Sequence, residues 1–461
     1  MKYGSLCILS AAIALAAPAA KADKVDDYIK AQMRLNHVPG AAVAIVRNGK
    51  VVKLRAYGLA NLEWTQKATA DTAFQLASTT KPFTGMLVMR LLEQGKLDLD
   101  ASITRYLPNA PGAWEPVTVR HLANHSSGIP DRVDTEPNPA LDAYIEAAAK
   151  LPLAHAPGAS SEYGISAYIV LRKIIENVSG QTFIDALRTE VIQPLGLKAT
   201  AYEEASTYGD RRSSEVLPRR ASVYDWKGTR FQNFSYDFKP LGYSAGGLYS
   251  SAADLAKVLV ALEANSLLKE ESKRAMWTAQ TLGNGKPASF GVGWVLRKVN
   301  GRDTTGHSGG PALSDLLYIP KERFGVVVLT NGQALYPYLA QGISELYYPA
   351  LAASLPAGIE DKKPELTAKV SKVLAAAWSG SVDETEFTPA ARENFIPSLK
   401  AFLLPFFKSL QPLDRLVLTL EQPGEGKTRR EYAALYGKKV VTWQFDVDDA
   451  GKVIGFGPKS E

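Results

Sequence analysis

The segment Phe74-Gln-Leu-Ala-Ser78-Thr-Thr-Lys81-Pro-Phe-Thr84 joins an apolar strand end to the start of a helical pattern. A helix beginning near Ser78 carries Lys81 one turn further on, so hydroxyl and ammonium share a face. An isolated serine hydroxyl is a weak nucleophile at neutral pH. It needs a neighbouring base, or a lysine whose pKa has been lowered by burial. S-x-x-K supplies that pair within four residues. Pro82 lacks an N–H, which costs little only in a first helical turn. It therefore places Ser78 near a helix N-terminus, where the dipole and free N–H groups favour developing negative charge. The spacing alone is common, with about one or two chance matches expected in a chain this long. A second match, Ser266-Leu-Leu-Lys269, follows a helix already running from Ala253 and reads as the surface or C-terminal end of that helix.

With 461 residues, 46% hydrophobic and 22% charged, the composition is that of a soluble globular protein with room for more than one domain. The start is different. Met1-Lys-Tyr-Gly-Ser leads into an apolar run from Leu6 to Ala17, then Pro18 and Ala20-Lys-Ala22. This is the pattern of a cleavable secretory signal, with the mature chain beginning near Asp23. The run is shorter than the roughly 20 apolar residues that span a bilayer, so no stable membrane anchor is expected after cleavage. A periplasmic or secreted location follows. Cys7, the single cysteine, lies in that run, so the mature chain is expected to carry no disulfide, thiol nucleophile or cysteine metal site. The formal charge of +6 falls to +4 without Lys2 and Lys21. No basic stripe is interleaved with aromatics, and nucleic acid is not an expected partner.

Outward from Ser78 the periodicity changes twice. A short amphipathic helix over 24–35 precedes two apolar strands on either side of Arg47-Asn-Gly-Lys50, a hairpin signal. From 83 to about 275 the pattern is mostly helical, with helices over 85–95, 118–124, 140–150 and 166–178 between turn-rich joins. Strands return over 291–297, 304–307, 314–320 and 324–331, followed by a helix over 335–351. Strands at both ends of 23–352 thus flank a helical middle. The simplest solution is one sheet made by the two ends, with the middle as a separate helical lobe. Residues 353–364 read as a linker, and 365–461 as a small α+β domain with helices over 365–378 and 390–410 and strands over 413–420, 430–436 and 440–447. Asp446-Val-Asp-Asp-Ala-Gly-Lys452 invites a calcium-loop reading, but Ala450 and Gly457 stand at its fifth and twelfth positions, so a hairpin turn is expected.

Five segments fall into one pattern: Ser78-Thr-Thr-Lys81, Val119-Arg-His-Leu-Ala-Asn-His-Ser-Ser-Gly-Ile-Pro130, Tyr163, Ala245-Gly-Gly-Leu-Tyr-Ser-Ser-Ala-Ala-Asp-Leu255 and His307-Ser-Gly309. In order and spacing they resemble the class C β-lactamase-like serine hydrolases, a group that includes D,D-peptidases, D-amino-acid peptidases and esterases of the same fold. The resemblance covers roughly residues 25–350. It implies an α/β (α+β) fold of β-lactamase/transpeptidase type. In that fold an antiparallel sheet flanked by helices stands beside an all-helical lobe, with the site in the crevice between them. The C-terminal domain lies outside the resemblance, and no chemistry is legible in it.

By the same resemblance Ser78 is the acylated nucleophile and Lys81 its lysine partner. Tyr163, in Glu162-Tyr-Gly-Ile-Ser-Ala-Tyr168, stands at the tyrosine of a Y-x-N motif, with Tyr168 as rival. A tyrosine acts as a base only if positive charge lowers its pKa of about 10, a role open to Lys81. Which of the two takes the Ser78 proton stays open. His307-Ser308-Gly309 matches K/H-[ST]-G on a strand lining the site, where Gly309 is expected to let substrate backbone approach. The N–H groups of Ser78 and Gly310 are the implied oxyanion hole. Histidine in place of lysine is closer to the peptidase and esterase branches. Ile165 replaces the motif's asparagine, which in the family holds a substrate's acyl-amide side chain. Its loss leaves a more apolar pocket, suited to ester or hydrophobic acyl substrates.

His121 and His125 lack the glutamate of a zinc motif and match a structural segment of the family, so no metal is expected, and no cofactor. The expected function is a secreted serine hydrolase acting through a Ser78 acyl-enzyme on a small-molecule ester, amide or peptide, as an esterase or D-amino-acid peptidase does. The alternatives are a β-lactamase or D,D-carboxypeptidase acting on β-lactams or peptidoglycan peptides, and a catalytically inactive penicillin-binding-protein-like binding protein.

Overall fold

Asp23 opens the described chain by capping α1 (Lys24–Leu35), accepting from the amides of Val25 and Asp26. β1 (Gly40–Arg47) is buried along seven of its eight residues. Asn48 and Gly49, at φ 50° and 72°, make the left-handed pair that a two-residue hairpin needs, and the chain returns as β2 (Lys50–Asn61). The two-residue β3 (Phe74–Gln75) and a 3-10 turn, Ala77–Thr80, lead into α2 (Lys81–Glu93). The middle supplies α3 (Val119–Ala123), α4 (Leu141–Ala149) and α5 (Ser166–Ser179), then β4 (Leu248–Ser250) and α6 (Ala252–Ala264). β5 (Val295–Val299), β6 (Arg302–Gly309), β7 (Ala312–Ile319), β8 (Phe324–Gln333) and α7 (Leu339–Tyr347) complete this part. The computed structural model describes residues 23–458 apart from 137–138, 209–210, 237, 300, 311, 334–338, 352–354, 405–406, 408–409 and 438. The expected signal segment, 1–22, lies outside the described residues.

The two ends meet in one sheet. Its order is β5-β6-β7-β8-β1-β2, with every neighbouring pair antiparallel. Ala41 to Arg47 of β1 pair with Thr330 to Phe324 of β8. Asn331 locks this seam from within: its Oδ1 accepts the Gly40 N–H (2.7 Å) and its Nδ2 donates to Leu59 O (3.0 Å) and Ala60 O (3.3 Å). Strand alternation sends Ala42, Ala44, Val327 and Leu329 to the face covered by α2 and α6. Ala41, Val43, Val326 and Val328 go to the face covered by α1 and α7.

Four expectations change. The middle is not purely helical: Val223–Trp226 and Phe231–Phe234 form a hairpin that joins the sheet through a parallel contact of Tyr224 with Gly332. Its strands are only half-buried, so they lack the apolar run that marks a core strand. The strand expected over 291–297 begins only at Val295, because Gly293 (φ 81°) turns the chain against Lys81 O and Gly85. The last helix of this part is shorter, Leu339–Tyr347 followed by a 3-10 turn, with 334–338 outside the described residues. The helix expected over 390–410 is broken into Pro389–Asn394, Ile396–Ser398 and a π turn, Leu399–Leu403, where Pro397 removes a helical donor. Ser266 does follow a helix end, since Asn265 (φ 56°) terminates α6.

Beyond α8 (Pro364–Ser379), the strands β9 (Arg415–Gly424), β10 (Lys427–Tyr436), β11 (Lys439–Val447) and β12 (Val453–Pro458) form a four-stranded antiparallel meander. Its apolar side, with Leu374, Trp443 and Phe445, belongs to the same buried cluster as Ile29 of α1 and Ile343 of α7. Asp446 is tied to Arg429 Nε (2.8 Å), and Asp448 Oδ1 accepts the Lys452 N–H (2.7 Å), so this acidic loop is a hairpin turn. Among the described residues no helix is long and apolar enough to cross a membrane.

Asn331→Ala removes the partner of the Gly40 N–H and of Leu59 O at the closure of the sheet, while Ala60 O keeps the Ser222 N–H at 3.0 Å. It is expected to lower unfolding free energy by about 2–4 kcal/mol in urea denaturation; a loss within error would show that the seam does not need this amide.

Candidate active site

Ser78 is the second residue of the 3-10 turn, so its N–H is among those a helix start leaves without an intrahelical acceptor. The turn is entered through Ala77, fully buried and at φ 48°, a left-handed conformation that costs an alanine about 1 kcal/mol or more. The sheet holds it there. Ser314 Oγ donates to Leu76 O at 2.6 Å and lies 2.8 Å from Thr79 Oγ1, which in turn donates to His307 O at 3.3 Å. Gly309 lies opposite Ser314 in the β6–β7 register, and a Cβ placed on it would come within 2.1 Å of Leu76 O. The close approach seen at this glycine is therefore to the chain's own Ser78 turn. Gly310 follows directly, in the turn at the end of β6.

Lys81, the first residue of α2, is buried to 1% exposure. Its Nζ donates to Tyr163 OH (2.7 Å) and Ala245 O (2.9 Å). Tyr163 OH donates in turn to Ser78 Oγ (2.9 Å). Serine and lysine thus communicate through the tyrosine. Burial draws the Lys81 amine down to about 7, against a smaller upward pull from Asp131. Tyr163 moves the other way. Enclosure of its hydroxyl pushes it up to about 12, opposed by the bond to Ser78 and assisted by Asp131. The expectation that Lys81 would lower the tyrosine is reversed, because an amine this dry loses its own proton before it can stabilise a phenolate. Tyr168 is engaged elsewhere, donating to Ala123 O at 2.9 Å.

The rest of the crevice positions these three groups. Asp131 Oδ1 accepts the N–H of Ile165 (2.5 Å) and Ser166 (2.8 Å), fixing the entry to α5 two residues after Tyr163. Ile165 itself is half-exposed, and the second oxygen on Lys81 is the Ala245 carbonyl. His125, at φ 62°, lays its ring against Tyr163 (4.5 Å between centroids) and Tyr168 (5.0 Å), with Phe290 edge-on at 4.8 Å. Its Nδ1 accepts the Gly164 N–H (3.4 Å), and burial with the nearby Lys81 and His307 keeps it neutral. His121 goes elsewhere, its Nδ1 accepting the Thr118 N–H in a capping box.

His307 is buried, and its Nδ1 contacts Ser308 O at 2.7 Å. A carbonyl only accepts, so Nδ1 carries the hydrogen and Nε2, which has no partner among the described residues, presents a lone pair. Burial and Lys81 hold this ring down at about 3. It is a neutral group, not a cation. Ser308 points to the opposite face of the sheet, where its hydroxyl donates to Asp315 Oδ1 (3.0 Å) beneath α7. The motif therefore offers the crevice His307 and backbone, not the serine hydroxyl. Asp131 and Ser314 carried no sequence signal, since they act across 34 and 238 residues, and Ala245 lay within a quoted segment that gave no sign of its carbonyl's role. His125 lay within a quoted segment, but nothing in the residues pointed to its place behind Tyr163.

A family model described as Beta-lactamase matches residues 25–343. The chain belongs to that family. Protein flp of Staphylococcus aureus (strain MW2) is 27% identical over 330 residues, covering 68% of this chain and 64% of that protein's length. Esterase EstB of Burkholderia gladioli is 32% identical over 282 residues, 54% of this chain and 71% of EstB. Among solved structures, the octameric penicillin-binding protein homologue from Pyrococcus abyssi superposes with a TM-score of 0.60 at 23% identity, covering 92% of this chain and 96% of that one. The β-lactamase family fold is thus a mixed α/β architecture with antiparallel sheets, shared by esterases and penicillin-binding-protein homologues.

In this β-lactamase family member, Gly309→Ala forces a methyl group into the Leu76 carbonyl. We expect a stability loss of about 2 kcal/mol or more, together with slower acylation of Ser78, measured by denaturation and active-site labelling. Unchanged values of both would show that the turn does not rest on β6.

Proposed function

We propose that this chain is an exported serine hydrolase that cleaves uncharged esters through a Ser78 acyl-enzyme. The observation that carries this reading is the relay from Lys81 through Tyr163 to Ser78. With Lys81 neutral the hydroxyls turn, Ser78 O–H donating to Tyr163 and Tyr163 O–H to the Lys81 lone pair; Lys81 then takes the tyrosine proton as Tyr163 takes the serine proton, and Ser78 Oγ bonds to the acyl carbon. The N–H groups of Ser78 and Gly310 are the proposed donors to the oxyanion. Lys81, now charged, returns the proton through Tyr163 to the leaving alcohol, and water releases the acyl group by the same route. Export rests on the signal-like residues 1–22.

The preference for esters rests on what the crevice lacks. A substrate carboxylate, as β-lactams and peptidoglycan peptides carry, calls for a cation or a convergent hydroxyl. Here His307 is neutral and the Ser308 hydroxyl faces Asp315. Ile165 brings an apolar side chain where an amide acceptor would stand. The likeness to EstB, named an esterase, agrees with this. A binding protein would have no use for a dry amine placed on a serine relay.

A fluorophosphonate probe is expected to label the wild type and not Ser78→Ala; label retained in the variant would move the nucleophile elsewhere. Short p-nitrophenyl esters should be turned over faster than a chromogenic cephalosporin, and the opposite ranking sinks the ester preference. Tyr163→Phe breaks the relay, with kcat expected to drop about 10²–10⁴-fold and KM to change little. Only unprotonated Lys81 can accept, so kcat/KM should rise with pH, about tenfold per unit on the acid side, and level off above about 7. A flat profile across that range would remove Lys81 as the acceptor.

A further inference from the structure

Gln75 stands in β3 three residues before Ser78 and is buried to 5% exposure. Its Nε2 donates to Tyr236 O (3.3 Å) and Tyr249 OH (3.5 Å), but its Oε1 has no hydrogen-bond partner among the described residues. A buried amide oxygen left in that state costs about 1–3 kcal/mol, so a donor from outside the chain is called for. Gln75 lines a cavity of about 330 Å³ together with Glu203, Arg220, Asn233, Tyr236 and Tyr249. That is within the range of small-molecule sites, about 300–1,000 Å³.

The chemistry of the lining is specific. Glu203 pairs with Arg220 (3.3 Å) and also accepts from Ser214 Oγ (2.8 Å), so the cavity's two charges offset each other and it does not select an ion. Amides, hydroxyls and phenols supply both donors and acceptors, and the apolar wall is limited to Val223 and Phe234. Tyr236 leaves half its surface to solvent, offering a ring face at the rim. A neutral ligand with many hydroxyls and a C–H face meets all of these conditions.

The cavity is linked to the reacting centre through its wall, though Ser78, Lys81 and Tyr163 do not line it. Three peptide units separate Gln75 from Ser78, so their Cα atoms are at most about 11 Å apart. Tyr236 packs edge-on against Phe238 (4.7 Å), whose ring crowds Gly246, the neighbour of the Ala245 carbonyl that holds Lys81.

We propose that this cavity is a subsite for a neutral saccharide, holding the sugar part of an ester whose acyl carbonyl is presented to Ser78. The second half rests on the function proposed above. Ser78 Oγ bonds to the acyl carbon, the bond from that carbon to the sugar oxygen breaks, and the serine proton passes through Tyr163 to the sugar oxygen.

The test uses Ser78→Ala protein, which retains the cavity without turnover, titrated calorimetrically with glucose, N-acetylglucosamine, cellobiose, xylobiose and maltose. At least one should bind with a Kd in the millimolar range or tighter, and Tyr236→Ala in the same background should weaken it about tenfold or more. Gln75→Leu, which keeps the volume and removes the acceptor, should do the same; Tyr236 is at the surface, so that variant decides if Gln75→Leu fails to fold. The wild type should cleave the acetyl ester of the bound sugar with a lower KM than acetate esters of simple alcohols. No binding of any of the five sugars, undiminished binding in Tyr236→Ala, or equal KM values would overturn the subsite. Cleavage of p-nitrophenyl acetate by the wild type and not by Ser78→Ala would then leave Ser78 as the nucleophile. Sugar binding without hydrolysis of any ester upholds the subsite and overturns the proposed function.

Discussion

Lys81 carries its amine into the protein interior, where the Tyr163 hydroxyl and the Ala245 carbonyl meet it. An ammonium has three hydrogens to place, and desolvation with only two acceptors favours the neutral amine. The surrounding fold is arranged to keep that group dry. α2 starts at Lys81, and Gly85 one turn later lets the chain at Val292 close against the helix, since a Cβ there would lie 2.1 Å from Val292 O. Tyr163, backed by His125 and Phe290, closes the other side. Exposing the amine would restore an ordinary lysine and, in the relay we propose, leave the serine without a proton acceptor.

The turn that carries Ser78 depends on the sheet as much as on its own helix. Ala77 sits in a conformation an alanine avoids, and a strained turn persists only where its surroundings over-determine it. Here Ser314, Thr79 and the bare Cα of Gly309 dock the turn onto β6 and β7. The same strand alternation that brings His307 and Gly309 to the crevice turns Ser308 to the far face. There Asp315, pushed up to about 7 by burial, also accepts the Ala340 N–H of α7. That face is continuous with the apolar cluster of the C-terminal sheet, so the strand beside Ser78 is packed from both sides.

Family membership sets the fold and the class of chemistry but leaves the substrate to local electrostatics. A neutral His307 and a half-exposed Ile165 make a crevice with little to offer an anion, while the polar cavity beside Gln75 offers much to hydroxyls. Selectivity in this chain, as we propose it, lies in that contrast between an uncharged acyl side and a hydrogen-bonding alcohol side.

The sequence by itself determined the elements with strong local causes. Asn48-Gly49 needs left-handed φ, and the apolar runs on either side of it make strands; Pro82 puts the helix start at Lys81. Ser78, Lys81, Tyr163 and His307 were legible because short motifs recur in a fixed order. The half-buried hairpin at 223–234 and the break at Pro397 were missed, since neither leaves a clear periodicity. Only the tertiary structure decided the protonation states and the directions of side chains. Desolvation of Lys81 depends on Ala245 and Tyr163, and the direction of Ser308 on the pairing of β6 with β7. Those contacts join residues far apart in the chain, and a pKa is a property of the enclosure they build rather than of any residue within it.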